Sequence, residues 1–93
     1  MNSIRDIFTL QPVRIDWRGH ALDLRRPSAL DIIEALEVSK TKPDRLYAWF
    51  AFRHIEEAGK PVFSSLDDAL AADGLAIMEL GREVERLYGE GRD

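Results

Sequence analysis

The ten residues Leu46–Ile55, LYAWFAFRHI, constrain this chain more than any other stretch. Eight of the ten are apolar or aromatic, and only Arg53 and His54 are not. Wound as a helix of about 3.6 residues per turn, Ala48, Ala51, Phe52 and Ile55 form one charge-free stripe. Leu46, Trp49 and Phe50 fall on the other side, around Arg53, with Tyr47 between the two. A surface helix needs one apolar stripe. A helix with two must be covered twice, by the rest of its own domain or by another protein. Leu46, Trp49, Phe50 and Arg53 are therefore the candidate partner-binding residues, since large exposed apolar patches mark interaction sites and Trp and Arg are common anchors. The competing reading packs the same residues against the rest of the fold.

The chain has 93 residues, enough for one domain with one modest core. The fold class expected is mainly α (α+β): an N-terminal β-hairpin followed by about four helices. Residues 1–12 read as a lead-in arm, 13–89 as the globular domain and 90–93 as a frayed tail. Net charge is −4, which argues against a nucleic-acid binder with its basic stripe. There is no cysteine, hence no disulfide framework, thiolate metal site or thiol nucleophile. No apolar run approaches the ~20 residues of a membrane helix, and MNSIRDIFTLQ lacks the apolar core of a signal peptide.

Ile4, Ile7, Phe8 and Leu10 form an apolar lead-in that Pro12 closes. VRIDW and HALDL flank Arg18-Gly19 and read as a hairpin. A two-residue loop pairs Trp17 with His20, Ile15 with Leu22 and Val13 with Leu24 on one face, and Arg14 with Asp23 on the other. Ser28 then caps a first helix, with Asp31 completing a short capping box. Leu30, Ile32, Ile33 and Leu36 give that helix its apolar stripe, and it fades at Val38-Ser39. Pro43 opens a second helix, expected to run to about Glu57. Gly59 and Pro61 end it, Val62 and Phe63 anchor an extended turn, and Ser64 or Ser65 caps a third helix. Asp73 caps the fourth, whose stripe is Ile77, Leu80, Val84 and Leu87. Gly81 lies on this helix, where a missing side chain allows close packing.

No catalytic motif competes with this apolar pattern, and the expectation is a protein that is not an enzyme, with no catalytic residues, cofactor or metal. His20 and His54, the two histidines, are 34 positions apart without ligand-spaced partners; they read as a hairpin-tip and a helix-surface histidine. Glu56-Glu57 and Asp67-Asp68 are neighbours that point about 100° apart on a helix, which suits solvated helix ends better than acid–base work. The single glycines fit no phosphate-cradling loop. An arginine-rich N-terminal third faces an acidic C-terminal part, a polarity that suits head-to-tail association or simple solvation.

The order of segments carries a resemblance. VRIDWRGHALDL runs into LRRPSALDIIEAL, then LYAWFAFRHIEE, GKPVFSSLDDAL and GLAIMELGREVERLYG. This layout, the Gly59–Leu70 segment above all, resembles the tail assembly chaperones of long-tailed bacteriophages and prophages. The resemblance implies a non-enzymatic role in the bacterial host cytoplasm. The implied partners are the long apolar tape measure protein, kept soluble until tail tube protein polymerises around it, and further copies of the chain itself, without nucleic acid or membrane. The competing expectation is a small head–tail connector or minor tail component that stays in the virion.

Overall fold

The computed structural model describes residues 3–89. Strands β1 (Val13–Trp17) and β2 (His20–Leu24) form the hairpin in the register read from the sequence, Trp17 opposite His20 and Val13 opposite Leu24. Arg18 and Gly19 take φ of 51° and 82°, the paired left-handed residues of a tight hairpin turn whose twist matches the strands. Arg14 donates from Nε to Asp23 Oδ1 at 2.9 Å across the outer face.

Helix α1 (Ala29–Thr41) begins with the expected capping box, Ser28 and Asp31 each accepting from the other's backbone N–H at 3.1 and 2.9 Å. It runs three residues beyond Val38, ending where Lys42 leaves helical geometry before Pro43. A 3-10 turn at Pro43–Arg45 leads into α2 (Leu46–His54). The second helix is shorter than its sequence suggests. Ile55–Glu57 forms β3, antiparallel to β2 with Leu24 opposite Ile55, and Lys60–Pro61 forms β4, giving a sheet ordered β1-β2-β3-β4. The physical reason is the free edge of β2. The Arg25 N–H donates to the His54 carbonyl at 2.8 Å, and Ile55 is buried beside Leu24, so strand pairing outweighs a weak helical preference. Gly59 accordingly serves a tight turn with Ala58, both at positive φ, and not a helix end.

Helices α3 (Leu66–Leu70) and α4 (Gly74–Gly89) follow. Ser65 caps the first by accepting from the Asp68 N–H, and Asp73 caps the second by accepting from Leu75 and Ala76. The core lies where α2 and α4 cross over the sheet. Leu24, Ala51, Ile55 and Val84 are fully buried, and Ile77, Leu80 and Leu87 of the expected α4 stripe are buried with them. Gly81 makes the crossing possible, because a Cβ there would stand 2.7 Å from the Tyr47 Cβ and 3.0 Å from its Cα. A 3-10 turn at Ile4–Phe8 occupies the lead-in, with no buried residue. The expected frayed tail, residues 90–93, lies outside the described residues, as do residues 1 and 2.

Candidate functional site

The rotation of α1 is set by one carboxylate. Asp31 and Ala35 are its buried residues, with Val38 packed against the core, an inward spine at i, i+4 and i+7. Asp31 Oδ1 accepts from Arg53 Nη2 at 3.0 Å, and Oδ2 accepts from the Ser28 N–H and lies 3.4 Å from Arg25 Nη2. Burial alone would raise the Asp31 pKa. The Ser28 N–H, the Arg53 hydrogen bond and the Arg25 charge outweigh it and hold the carboxyl below its ordinary value. A buried carboxylate needs such partners, and the two arginines sit on the linker after β2 and on α2. The helix therefore turns Asp31 inward whatever this does to its apolar side.

His54 extends the same polar seam and is wholly buried, not on the helix surface as the sequence suggests. Its Nδ1 lies 2.5 Å from the Arg25 carbonyl and its Nε2 2.6 Å from the Tyr88 hydroxyl. A carbonyl oxygen only accepts, so Nδ1 carries the proton and Nε2 of the neutral ring accepts from Tyr88. Burial pushes the His54 pKa down, against the opposing pull of the Arg25 hydrogen bond and the Asp31 charge. Burial likewise raises that of Tyr88. Both groups are held neutral, an arrangement suited to fixing structure.

The consequence for α1 is an apolar stripe turned to solvent. Leu30, Ile32, Ile33 and Leu36 are between 46% and 63% exposed. The sequence alone gives this stripe no direction; a self-contained domain would turn it inward. Ile32 and Leu36 also line one wall of an open groove of about 440 Å³, whose floor includes Leu46, Phe50 and Tyr88. Glu37 is exposed on α1 near the stripe. The lead-in adds a second uncovered set, with Ile4, Ile7 and Phe8 between 69% and 77% exposed and Leu10 at 45%.

The residues singled out from periodicity land differently. Trp49 and Phe50 are buried, in a ring cluster where Phe50 lies 4.8 Å from Tyr88 and 5.7 Å from Trp49. Arg53 is half-buried and committed to Asp31, and Leu46 is half-buried on the groove floor. In this fold both stripes of α2 are covered by the chain itself, and the four residues do not form one exposed patch. The larger part of the apolar surface left over belongs to α1 and the lead-in, and a further set, Leu70, Leu75 and Met78, lies exposed around the start of α4. The sequence puts Asp31, Ala35 and Val38 on the side of α1 opposite the stripe, but that side turns inward only because Arg25 and Arg53 meet Asp31 in the fold.

Elsewhere the polar groups pair in ways that suit structure. His20 Nδ1 lies 3.2 Å from Glu57 Oε2, and Glu79 accepts from Trp17 Nε1 and Arg18 Nη2 at 3.2 and 2.8 Å, tying the hairpin tip to α4. Among the described residues no group of three or more His, Cys, Asp or Glu is placed to hold a metal ion, and no helix is long and apolar enough to cross a membrane. Compared with protein-family models, curated proteins and solved structures, the chain finds no match.

Proposed function

We propose that this chain is a non-enzymatic assembly chaperone of the long-tailed phage type, holding an apolar helical client such as a tape measure protein in solution during tail assembly. The observation that supports this most is the outward stripe of α1. A small domain has placed four large aliphatic side chains at its surface and a carboxylate beneath them. The stripe borders a groove with an aromatic floor, the shape that accepts the apolar face of an amphipathic helix. Burying each such side chain fully is worth roughly 1.5–3 kcal/mol, and these start half covered. After the cost of association, reversible holding is the regime they suit, as a client must later be released. The resemblance in segment order points to the same role, and the client surface is moved from α2 to α1.

Co-expression with the tape measure protein, followed by size-exclusion chromatography with light scattering, tests this reading. The expected result is a soluble complex with the natural chain. Aggregated client is expected with Ile33→Asp/Leu36→Asp, although that variant folds. A variant that solubilises the client as well as the natural chain would defeat the assignment to α1. A discrete ring of this chain that ignores the client would favour a structural tail component.

A further inference from the structure

Of the apolar sets left uncovered among the described residues, the α1 stripe and the lead-in each hold four large side chains, and unlike Leu70, Leu75 and Met78 around the start of α4 their roots are neighbours. The lead-in ends at Pro12, next to Val13, which pairs with Leu24. From Leu24 the chain needs only Arg25–Ser28 before α1 starts at Ala29. The segment carrying Ile4, Ile7, Phe8 and Leu10 thus leaves the body at the same end of the hairpin from which α1 sets out. We infer that, when no client is bound, the lead-in of a second copy of this chain covers the α1 stripe, and that two copies exchange these segments reciprocally in a two-fold dimer.

Three observations argue for this occupant. The lead-in stands clear of its own body: its backbone bonds are internal, Asp6 N–H to the Ser3 carbonyl and Thr9 N–H to the Asp6 carbonyl. Its three largest side chains are more exposed than any on the α1 stripe. The two faces also match. Four stripe residues at 46–63% exposure and four lead-in residues at 45–77% give each copy two apolar faces to bury, the makings of a standard interface of roughly 800 Å² per partner. Thirdly, the adjacent roots let the exchange close on two copies. A segment-to-face contact is heterologous and would otherwise propagate. Between Phe8 and Val13 the chain spans at most about 17 Å, and α1 is about 20 Å long, so a partner across a nearby axis is within reach.

This inference rests on the proposed function only in treating α1 as a face that is covered by turns. The client would then displace the partner's lead-in. Its test contains no client, so the two readings fail separately. Light scattering across a concentration series of the full chain should give twice the chain mass. Ile7→Asp/Phe8→Asp and Ile33→Asp/Leu36→Asp change exposed residues only, so each should keep the natural circular dichroism while losing the dimer. Mixed together, the two variants should recover dimer in part, because the intact lead-in of one meets the intact stripe of the other. A natural chain that stays monomeric at every concentration overturns the inference. So does a lead-in variant that remains dimeric, since α1 would then pack on α1. A mixture that stays monomeric, or a natural chain that grows beyond two copies, overturns it as well.

Discussion

Helices α1 and α4 have the same kind of sequence and opposite orientations. In α4 the stripe Ile77, Leu80, Val84 and Leu87 faces inward and is buried, while Glu79, Arg82 and Arg86 face solvent or partners. In α1 the stripe faces outward, and the buried side is a carboxylate with Ala35 and Val38. The difference teaches that amphipathic spacing fixes that a face will be covered, not by what. In α4 no internal charge competes with the aliphatic stripe. In α1 one does: Asp31, held by Arg53 at 3.0 Å and Arg25 at 3.4 Å, takes the inward side and leaves the stripe outside.

The strongest way to break this comparison is to place a charge on each stripe. Val84→Asp puts an unpaired carboxylate at a fully buried site, and a loss above about 4 kcal/mol, enough to unfold a small domain, is expected. Ile33→Asp, made at a site exposed in the single copy, should stay within about 0.5 kcal/mol of the natural chain in urea denaturation when both are compared at concentrations too low for pairing. Equal losses would mean that α1 is packed against its own body.

Next in size is Asp31→Ala. It removes the anchor and leaves Arg53 facing a dry seam, for a loss of about 3–5 kcal/mol. The loss should fall toward the lower end, because the Arg25 and Arg53 side chains keep 35% and 31% of their exposure. Asp31→Leu combined with Arg53→Met should recover part of it in thermal denaturation. A single Asp31→Ala that melts like the natural chain would remove the reason given for the orientation of α1.

Gly81→Ala sharpens the other side of the comparison. A methyl group there must push against the Tyr47 Cα and Cβ, so α2 and α4 separate, with an expected loss of about 1–3 kcal/mol despite the better helix propensity. A gain in stability would show that the crossing has slack.

The polar seam also sets a pH dependence. The folded-state pKa of His54 is depressed, so the unfolded chain binds the proton more readily, and stability should fall as pH drops below 6.5, the ordinary histidine value. The folded-state pKa of Asp31 is also depressed, so its contribution is present above 3.8 and is lost as pH falls through its folded value. Melting temperatures between pH 7.5 and 5 should decline for the natural chain and flatten for His54→Gln, whatever that variant's absolute stability. Parallel declines would rule out His54 as the titrating group.

What was legible in the sequence is what is settled locally. The hairpin register follows from alternation and a two-residue turn, the Ser28–Asp31 box from spacing, and the α4 stripe from a clean 3, 4, 3 pattern. Three features were not legible because distant residues decide them. The end of α2 at His54 depends on the free edge of β2, some thirty positions earlier. The burial of His54 depends on Tyr88, 34 positions later. The outward stripe of α1 depends on Arg25 and Arg53 meeting at one carboxylate. Trp49 and Phe50 have the bulk of interface anchors, yet bulk at the crossing of two helices is what a core requires.

The Arg25 carbonyl, the His54 ring and the Tyr88 hydroxyl belong to three separate thirds of the chain and share one hydrogen-bonded line. No third can open without stranding a buried polar group in another. Amide hydrogen exchange should therefore show a single slow block that takes in β2, α2 and the last turns of α4 and opens only by global unfolding. The lead-in, tied to the line by nothing but the chain through Pro12, should exchange at the rate of a free peptide at concentrations where the chain is monomeric, and more slowly where two copies pair.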